Sequence, residues 1–276
     1  MLNRNLLTCS LSLMLLGPVA LMAQTTPPPT LSPDVAAAMK VVPKPKSKAE
    51  VTALQNLQKM SKDASVTPTQ MDAALTGFVT QFPNSEYLAT VATWGLQFYQ
   101  TPPHKDYEKS LLYGEQAIQH DPASLYALAT VGDIIAAHAQ PTDLDYSQRV
   151  SEATKDDNQA IAIATSGAAT INGVAFPVTA KDTLQAVAYG SLALLASNAK
   201  QYPAAVADYQ KAATLDAPRN ASDYFYMARA QIAMKQYTAA LASLDKALSA
   251  APDNAAVQSA VSSNRKLIEQ LQKSGQ

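Results

Sequence analysis

Cysteine, glycine and aromatic residues are scarce in this 276-residue sequence, and each scarcity excludes a class of protein. The single cysteine, Cys9, rules out an intramolecular disulfide framework and a cysteine-rich zinc site. The sequence has only nine glycines, against 17 prolines, which argues against glycine-rich phosphate-binding loops and against a β-rich fold. Aromatic residues make up 7% of a chain that is 47% hydrophobic and rich in alanine, which favours closely packed helices.

Charge of either sign is also limited. The 21 basic and 22 acidic side chains give a formal net charge of -1 and a pI near 6.3. Proteins that bind nucleic acid usually present a strongly basic face to the phosphates. The composition therefore predicts a protein that does not bind nucleic acid.

Residues 1–23 have the order of a secretory signal peptide. A short polar start with Arg4 precedes a leucine-rich apolar run, and the segment ends at Ala23. Leu21 stands where a small residue is preferred, so cleavage after Ala23 and retention as an anchor both stay open. Cys9 lies inside the apolar run, whereas an acylated cysteine would follow it. We expect an exported protein of the bacterial envelope, periplasmic or secreted.

Residues 24–48 form a proline- and lysine-rich linker, QTTPPPTLSPDVAAAMKVVPKPKSK. Its prolines block helix formation and favour an extended chain. Lys44, Lys46 and Lys48 are candidates for weak contact with an anionic envelope surface, although a solvated linker is the simpler interpretation. No apolar run after residue 23 approaches the ~18 residues of a membrane span.

The C-terminal half of the chain repeats itself. Tyr202 and Ala205 recur as Tyr237 and Ala240, an offset of 35 residues that also holds for the neighbouring apolar positions. These positions fall at three- and four-residue steps, which predicts two helices in each unit. The predicted helices cover residues 182–199, 202–215, 222–235 and 237–250.

The repeated pattern resembles the tetratricopeptide repeat family, most clearly in the units 186–220 and 221–254. The repeat length is close to the ~34 residues of the family, although Gln231 replaces one of its tyrosines. The positions that carry the resemblance are Tyr189, Leu192, Ala193, Tyr202, Ala205, Tyr209, Ala212, Tyr224, Met227, Ala228, Tyr237, Ala240, Leu244, Ala247 and Pro252.

Degenerate repeats extend upstream over residues 84–181. Trp94 occupies the aromatic position of a first helix, although Phe98 then stands where a small residue belongs. The spacing of the second helix is recovered by Tyr107, Ser110, Gly114 and Ala117. Within 168–177, Asn172-Gly173 indicates either a small β-hairpin or an irregular connection between helices.

The resemblance implies an all-α fold over residues 49–276. Antiparallel helix pairs would form a solenoid with a right-handed superhelical path, and an amphipathic helix over 253–273 would cap its end. In this family the first helix of each pair lines a concave groove that accepts a peptide or a partner helix. Carried over to this sequence, the groove residues are Leu194, Ser197, Asn198, Phe225, Tyr226, Arg229 and Ile232.

No constellation of residues in the sequence predicts catalysis, a metal or another cofactor. The three histidines are scattered and lack partners at ligand spacing. We therefore expect a non-enzymatic scaffold that binds a protein or peptide, with Phe225 or Tyr226 alternatively packing against the capping helix. The competing hypothesis is an enzyme or ligand-binding protein whose site lies in the irregular 139–181 region, with His138, Asp143 and Asp145.

Overall fold

The all-α class predicted from the sequence is confirmed. A computed structural model describes residues 38–39, 42–166, 170–171, 174–175, 178–215 and 220–274. The helices in these ranges are α1 Lys48–Met60, α2 Pro68–Gln81, α3 Leu88–Gln100, α4 Tyr107–His120, α5 Leu125–His138, α6 Tyr146–Thr165, α7 Val178–Asn198, α8 Tyr202–Thr214, α9 Asn220–Ala233, α10 Tyr237–Ala250 and α11 Ala255–Lys273. The predicted boundaries agree with these to within two residues, except that α7 begins at Val178 and not at residue 182.

The helices form consecutive pairs that stack along one direction. Each helix packs against the next in sequence. The first helices of the five pairs, α1, α3, α5, α7 and α9, also contact one another in this order, and α9 contacts the final helix, α11. In the part of the chain that the structure describes, the second helices α2, α4, α6, α8 and α10 make no such contacts with each other. The array is a helical solenoid, and the side on which its first helices contact one another is here called the inner face.

Small side chains set the distance between the two helices of a pair. Ala193 of α7 and Ala205 of α8 are fully buried, as are Ala228 of α9 and Ala240 of α10. Small residues let two helix axes approach closely, so larger side chains can fill the remaining space. Tyr209 of α8 does so, with only 1% of its surface exposed.

Glycine takes this role in the upstream pairs. A Cβ on Gly95 of α3 would lie 2.7 Å from Cγ of Tyr113, and a Cβ on Gly132 of α5 would overlap the Asp157 carboxylate of α6. The small residue of α3 is therefore Gly95, and the register that placed Trp94 at the aromatic position is wrong. Phe98 is not at a small-residue position either, since its buried ring stacks on His104 with centroids 4.2 Å apart.

The turns inside the last two helix pairs also have the same conformation in both pairs. Lys200 and Lys235 both adopt left-handed backbone conformations, with φ of 59° and 60°. In each turn the next residue donates its N–H to the carbonyl five residues earlier, from Gln201 to Ala196 at 2.8 Å and from Gln236 to Gln231 at 2.9 Å. This is the Schellman end of a helix, in which glycine is the usual left-handed residue.

The predicted hairpin segment contains a short β ladder. The strands β1, Thr170–Ile171, and β2, Val174–Ala175, pair antiparallel, with Ile171 opposite Val174. The pairing decides between the two alternatives in favour of a hairpin, while Asn172-Gly173 lies outside the described residues.

The Gly132 contact predicts a large effect of a small substitution. Gly132→Ala should lower the free energy of unfolding by about 1–3 kcal/mol, because the buried Asp157 carboxylate accepts a 2.5 Å hydrogen bond from Ser191 of α7 and has little room to move. Gly77→Ala is the matched control, since a Cβ there meets nothing within 4 Å and should stabilise α2 by roughly 0.5–1 kcal/mol. Urea unfolding measures both, and equal effects of the two substitutions would contradict the close approach.

The left-handed turn gives a second stability prediction. Lys235→Gly should raise the free energy of unfolding by up to about 1 kcal/mol, because glycine has no Cβ to strain this conformation. The same substitution inside a helix, Lys266→Gly in α11, should instead cost about 1 kcal/mol. Thermal unfolding compares the two, and a loss of stability at both sites would argue against a strained Lys235.

Candidate partner-binding groove

The seven predicted groove residues lie on α7 and α9, which are the first helices of the last two pairs. Leu194, Ser197 and Asn198 occupy the C-terminal part of α7, and Phe225, Tyr226, Arg229 and Ile232 lie along α9. Asn198 is exposed and the other six are half-buried. Because α7 and α9 are in contact, the two sets belong to neighbouring strips of the inner face.

Phe225 combines packing with partial exposure. Its side chain packs against a cluster formed by residues of α9, α10 and α11, among them Val257 and Val261 of the capping helix. Ile232 packs against the same cluster. Both side chains remain half-buried, so each still offers apolar surface beside the cluster.

Tyr226 belongs to a different part of the core. Its ring stacks on Tyr209 of α8, with centroids 6.4 Å apart and planes 14° from parallel. It also meets Phe225 edge to face at 5.5 Å. Tyr226 therefore helps to join two helix pairs, while it remains half-buried like Phe225.

Arg229 follows Phe225 by one helical turn and precedes Ile232 by less than one turn. Residues at these spacings share a helix face, so the three form one stripe along α9. Within the described part of the chain, the Arg229 guanidinium has neither a hydrogen bond nor a salt bridge. A cation with unused donors beside apolar and aromatic surface is the combination found at protein-binding hot spots.

On α7 the groove is smaller and more polar. Leu194 packs half-buried against the large upstream cluster that includes Leu195. Ser197 and Asn198 lie just before the left-handed turn at Lys200, and the Ser197 carbonyl accepts a hydrogen bond from the Lys200 amide. This strip offers small polar side chains next to the apolar stripe of α9.

The three linker lysines differ in their surroundings. The Lys46 ammonium donates a 2.6 Å hydrogen bond to the carbonyl of Asn84. Lys44 and Lys48 are exposed. Lys46 is exposed as well, so envelope-surface contact through any of the three lysines stays a prediction.

The residues of the competing site each have a local structural partner. The ring of His138 packs on Tyr107 at 4.6 Å, and burial lowers the pKa of His138. Asp143 accepts a 2.7 Å hydrogen bond from a backbone amide of its own loop. Asp145 pairs with Arg149 at 2.6 Å, and this hydrogen bond lowers the pKa of Asp145. Among the described residues, no group of three or more His, Cys, Asp or Glu side chains could hold a metal ion.

A polar network around Asp72 was not predicted from the sequence. Its carboxylate accepts hydrogen bonds from the hydroxyls of Tyr99 and Tyr113 and from the Lys109 ammonium, each at 2.7 Å. Burial opposes ionisation of Asp72, but the three donors lower its pKa, while burial and the carboxylate raise the pKa of both tyrosines. The network joins α2, α3 and α4. Its members are far apart in the sequence, so no local sequence motif predicts these hydrogen bonds.

An acidic strip on α4 and α6 was also missed. The pKa of Asp156 is raised to about 6, chiefly by burial, with Lys155 opposing the shift and the nearby Glu152 and Glu115 adding to it. Burial and Glu152 raise the pKa of Glu115 in the same direction. Like charges on the successive second helices α4 and α6 therefore add to the effect of burial and disfavour ionisation here.

Comparison with known proteins does not place the chain in a family. No protein-family model and no curated protein matches the sequence. None of the described helices has both the length and the apolar character needed to cross a membrane.

The acidic strip predicts a pH-dependent substitution effect. The folded-state pKa of Asp156, about 6, exceeds the usual 3.8, so its ionisation destabilises the fold above pH 6 and this penalty disappears as the pH falls toward 4. Asp156→Asn should therefore raise the free energy of unfolding by on the order of 1–2 kcal/mol at pH 8 and have little effect near pH 4. Thermal unfolding at both pH values measures this, with the exposed Asp253→Asn as control. An equal gain at the two pH values would contradict the assignment.

Proposed function

We propose that the protein is a non-enzymatic interaction scaffold of the cell envelope, which binds a partner protein or peptide on the inner face of its solenoid. The observation that carries this proposal is the stripe of Phe225, Arg229 and Ile232 on α9. It combines two half-buried apolar side chains with a guanidinium that has no partner among the described residues.

The tetratricopeptide resemblance supports the same function. The 35-residue offset, the consecutive helix pairs, the buried alanines and the final helix α11 are all features of that family. Members of the family use the inner face of the array for protein recognition. Fold alone does not fix function, so the proposal depends on the side chains of α7 and α9.

The location of the scaffold is proposed from the N-terminal segment. Residues 1–23 have the pattern of an export signal, and a proline-rich stretch follows them. An exported protein of this kind would hold another envelope protein in its groove. The identity of that protein is open, so the experiment must capture it without prior choice.

The test is crosslinking in intact cells, followed by purification of the protein and identification of the crosslinked partner proteins by mass spectrometry. Phe225→Ala combined with Arg229→Glu should reduce recovery of the partner by at least about tenfold, because hot-spot residues dominate binding energy. Circular dichroism and export of the variant establish that it still folds and reaches its location.

A matched double variant controls for the loss of apolar surface and of a positive charge. Leu112→Ala combined with Lys62→Glu makes the same kinds of change at exposed positions on α4 and in the turn after α1. This control should recover the partner like the native chain. A partner recovered equally with the groove variant and the native chain would contradict the groove, and a native chain that recovers nothing would contradict the scaffold.

A further inference from the structure

The segment that precedes α1 is bound to the turn between α2 and α3. The Tyr87 hydroxyl donates a 3.1 Å hydrogen bond to the carbonyl of Pro43. The Lys44 amide donates to the Glu86 carboxylate at 2.9 Å. Two backbone groups of the proline-rich stretch are thus paired with side chains from a turn more than 40 residues away.

A buried carboxylate holds the same segment next to α1. Glu50 is 1% exposed and accepts hydrogen bonds from the Lys46 amide and, at 2.5 Å, from the Ser85 hydroxyl. The Lys46 ammonium adds its bond to the Asn84 carbonyl. These contacts fix the chain direction immediately before the solenoid begins.

Further upstream, the segment touches a later part of the array. Ala38 and Met39 are half-buried and pack against a cluster formed where α5, α6 and α7 meet. The buried members of that cluster are Ala123, Leu125, Leu128, Ala129, Ala160, Ile161, Ile163, Ala164 and Ala188. Residues 38–39 and 42–47 therefore contact helix pairs that follow each other along the solenoid.

The chemistry of the segment suits this contact. Pro43 and Pro45 restrict the backbone to extended conformations, so little conformational entropy is lost when the segment binds. An extended peptide cannot satisfy its own backbone groups, and here side chains of the 84–87 turn and Glu50 do so. Small and flexible apolar side chains, Ala38 and Met39, fill the contact with the α5–α7 cluster.

We propose that the solenoid binds residues 38–39 and 42–47 as an intramolecular ligand, along a surface formed by the 84–87 turn and the meeting point of α5, α6 and α7. This docked segment packs against a cluster to which α7 contributes, and α7 also carries Leu194, Ser197 and Asn198 of the candidate groove. A partner that extends from the groove along α7 onto this cluster must displace the segment. The competition rests on the proposed function, whereas the docking itself does not.

Cysteine labelling tests the docking without any partner. In a full chain whose Cys9 is replaced by serine, Ala38→Cys provides a single thiol in the docked segment, and Leu144→Cys provides a fully exposed reference. With a maleimide reagent, Cys at 38 should react at least about tenfold more slowly than Cys at 144, as expected for a mostly docked segment. Equal rates at the two positions would overturn the docking.

Two substitutions within the segment should release it. Met39→Asp removes an apolar contact, and Lys44→Pro removes the amide that binds Glu86, so that together they should bring the labelling rate at position 38 to within about twofold of the reference. Val42→Asp is the matched control, because Val42 is 49% exposed in the same segment, and it should leave the protection intact. Protection that survives the double substitution would overturn these contacts, and circular dichroism verifies that each variant is folded.

Crosslinking of the same variants tests the competition. The released variant should recover more of the partner than the native chain, and Val42→Asp should recover an unchanged amount. If labelling shows that the segment is released but the recovery of the partner is unchanged, the proposed competition is overturned. A native chain that recovers no protein contradicts the scaffold function instead, while the labelling rates still decide the docking.

Discussion

The close approach of two helices at small residues is the constraint on which the rest of the structure depends. Ala193 and Ala205 allow it in one pair and Ala228 and Ala240 in the next, all without exposed surface. Once the axes are this close, a large side chain such as Tyr209 can reach across to the following pair. The spacing within a pair thereby determines how the pairs stack, and the stacking brings the first helices into contact along one side of the array.

That stacking also explains why the candidate groove is only half open. The apolar side chains of the stripe on α9 pack against a cluster to which α10 and α11 contribute, and so Phe225 and Ile232 contribute both to stability and to accessible surface. Arg229 lies between them on the same stripe with donors unused by the described residues. A side chain that is already ordered by packing loses less entropy on binding a partner, which favours this stripe over flexible surface residues.

The sequence predicted the last two pairs nearly residue by residue because alanine and tyrosine recur there at a fixed offset. The prediction was wrong in α3. The small residue of this helix is Gly95, whereas the position of Trp94 in the repeat pattern had predicted it three residues later, at Phe98. The Asp72 network escaped prediction for another reason, since its donors come from separate helices that only tertiary packing brings together. The spacing of apolar residues along the sequence predicts which face of a helix is buried. It does not predict polar contacts between residues that are far apart in the sequence.

The linker shows how a stretch with no helical pattern can still bind to the folded array. Prolines disfavour helix, and the sequence alone therefore suggested a free tether up to residue 48. Yet the extended backbone that proline enforces is the form that side chains such as Tyr87 and Glu86 can bind. Because the segment is covalently attached, its effective concentration at the surface is on the order of millimolar, and a weak contact suffices to keep it docked. A competing partner must then bind strongly enough to overcome this local concentration, so the docked segment would select for partners that also engage the stripe on α9.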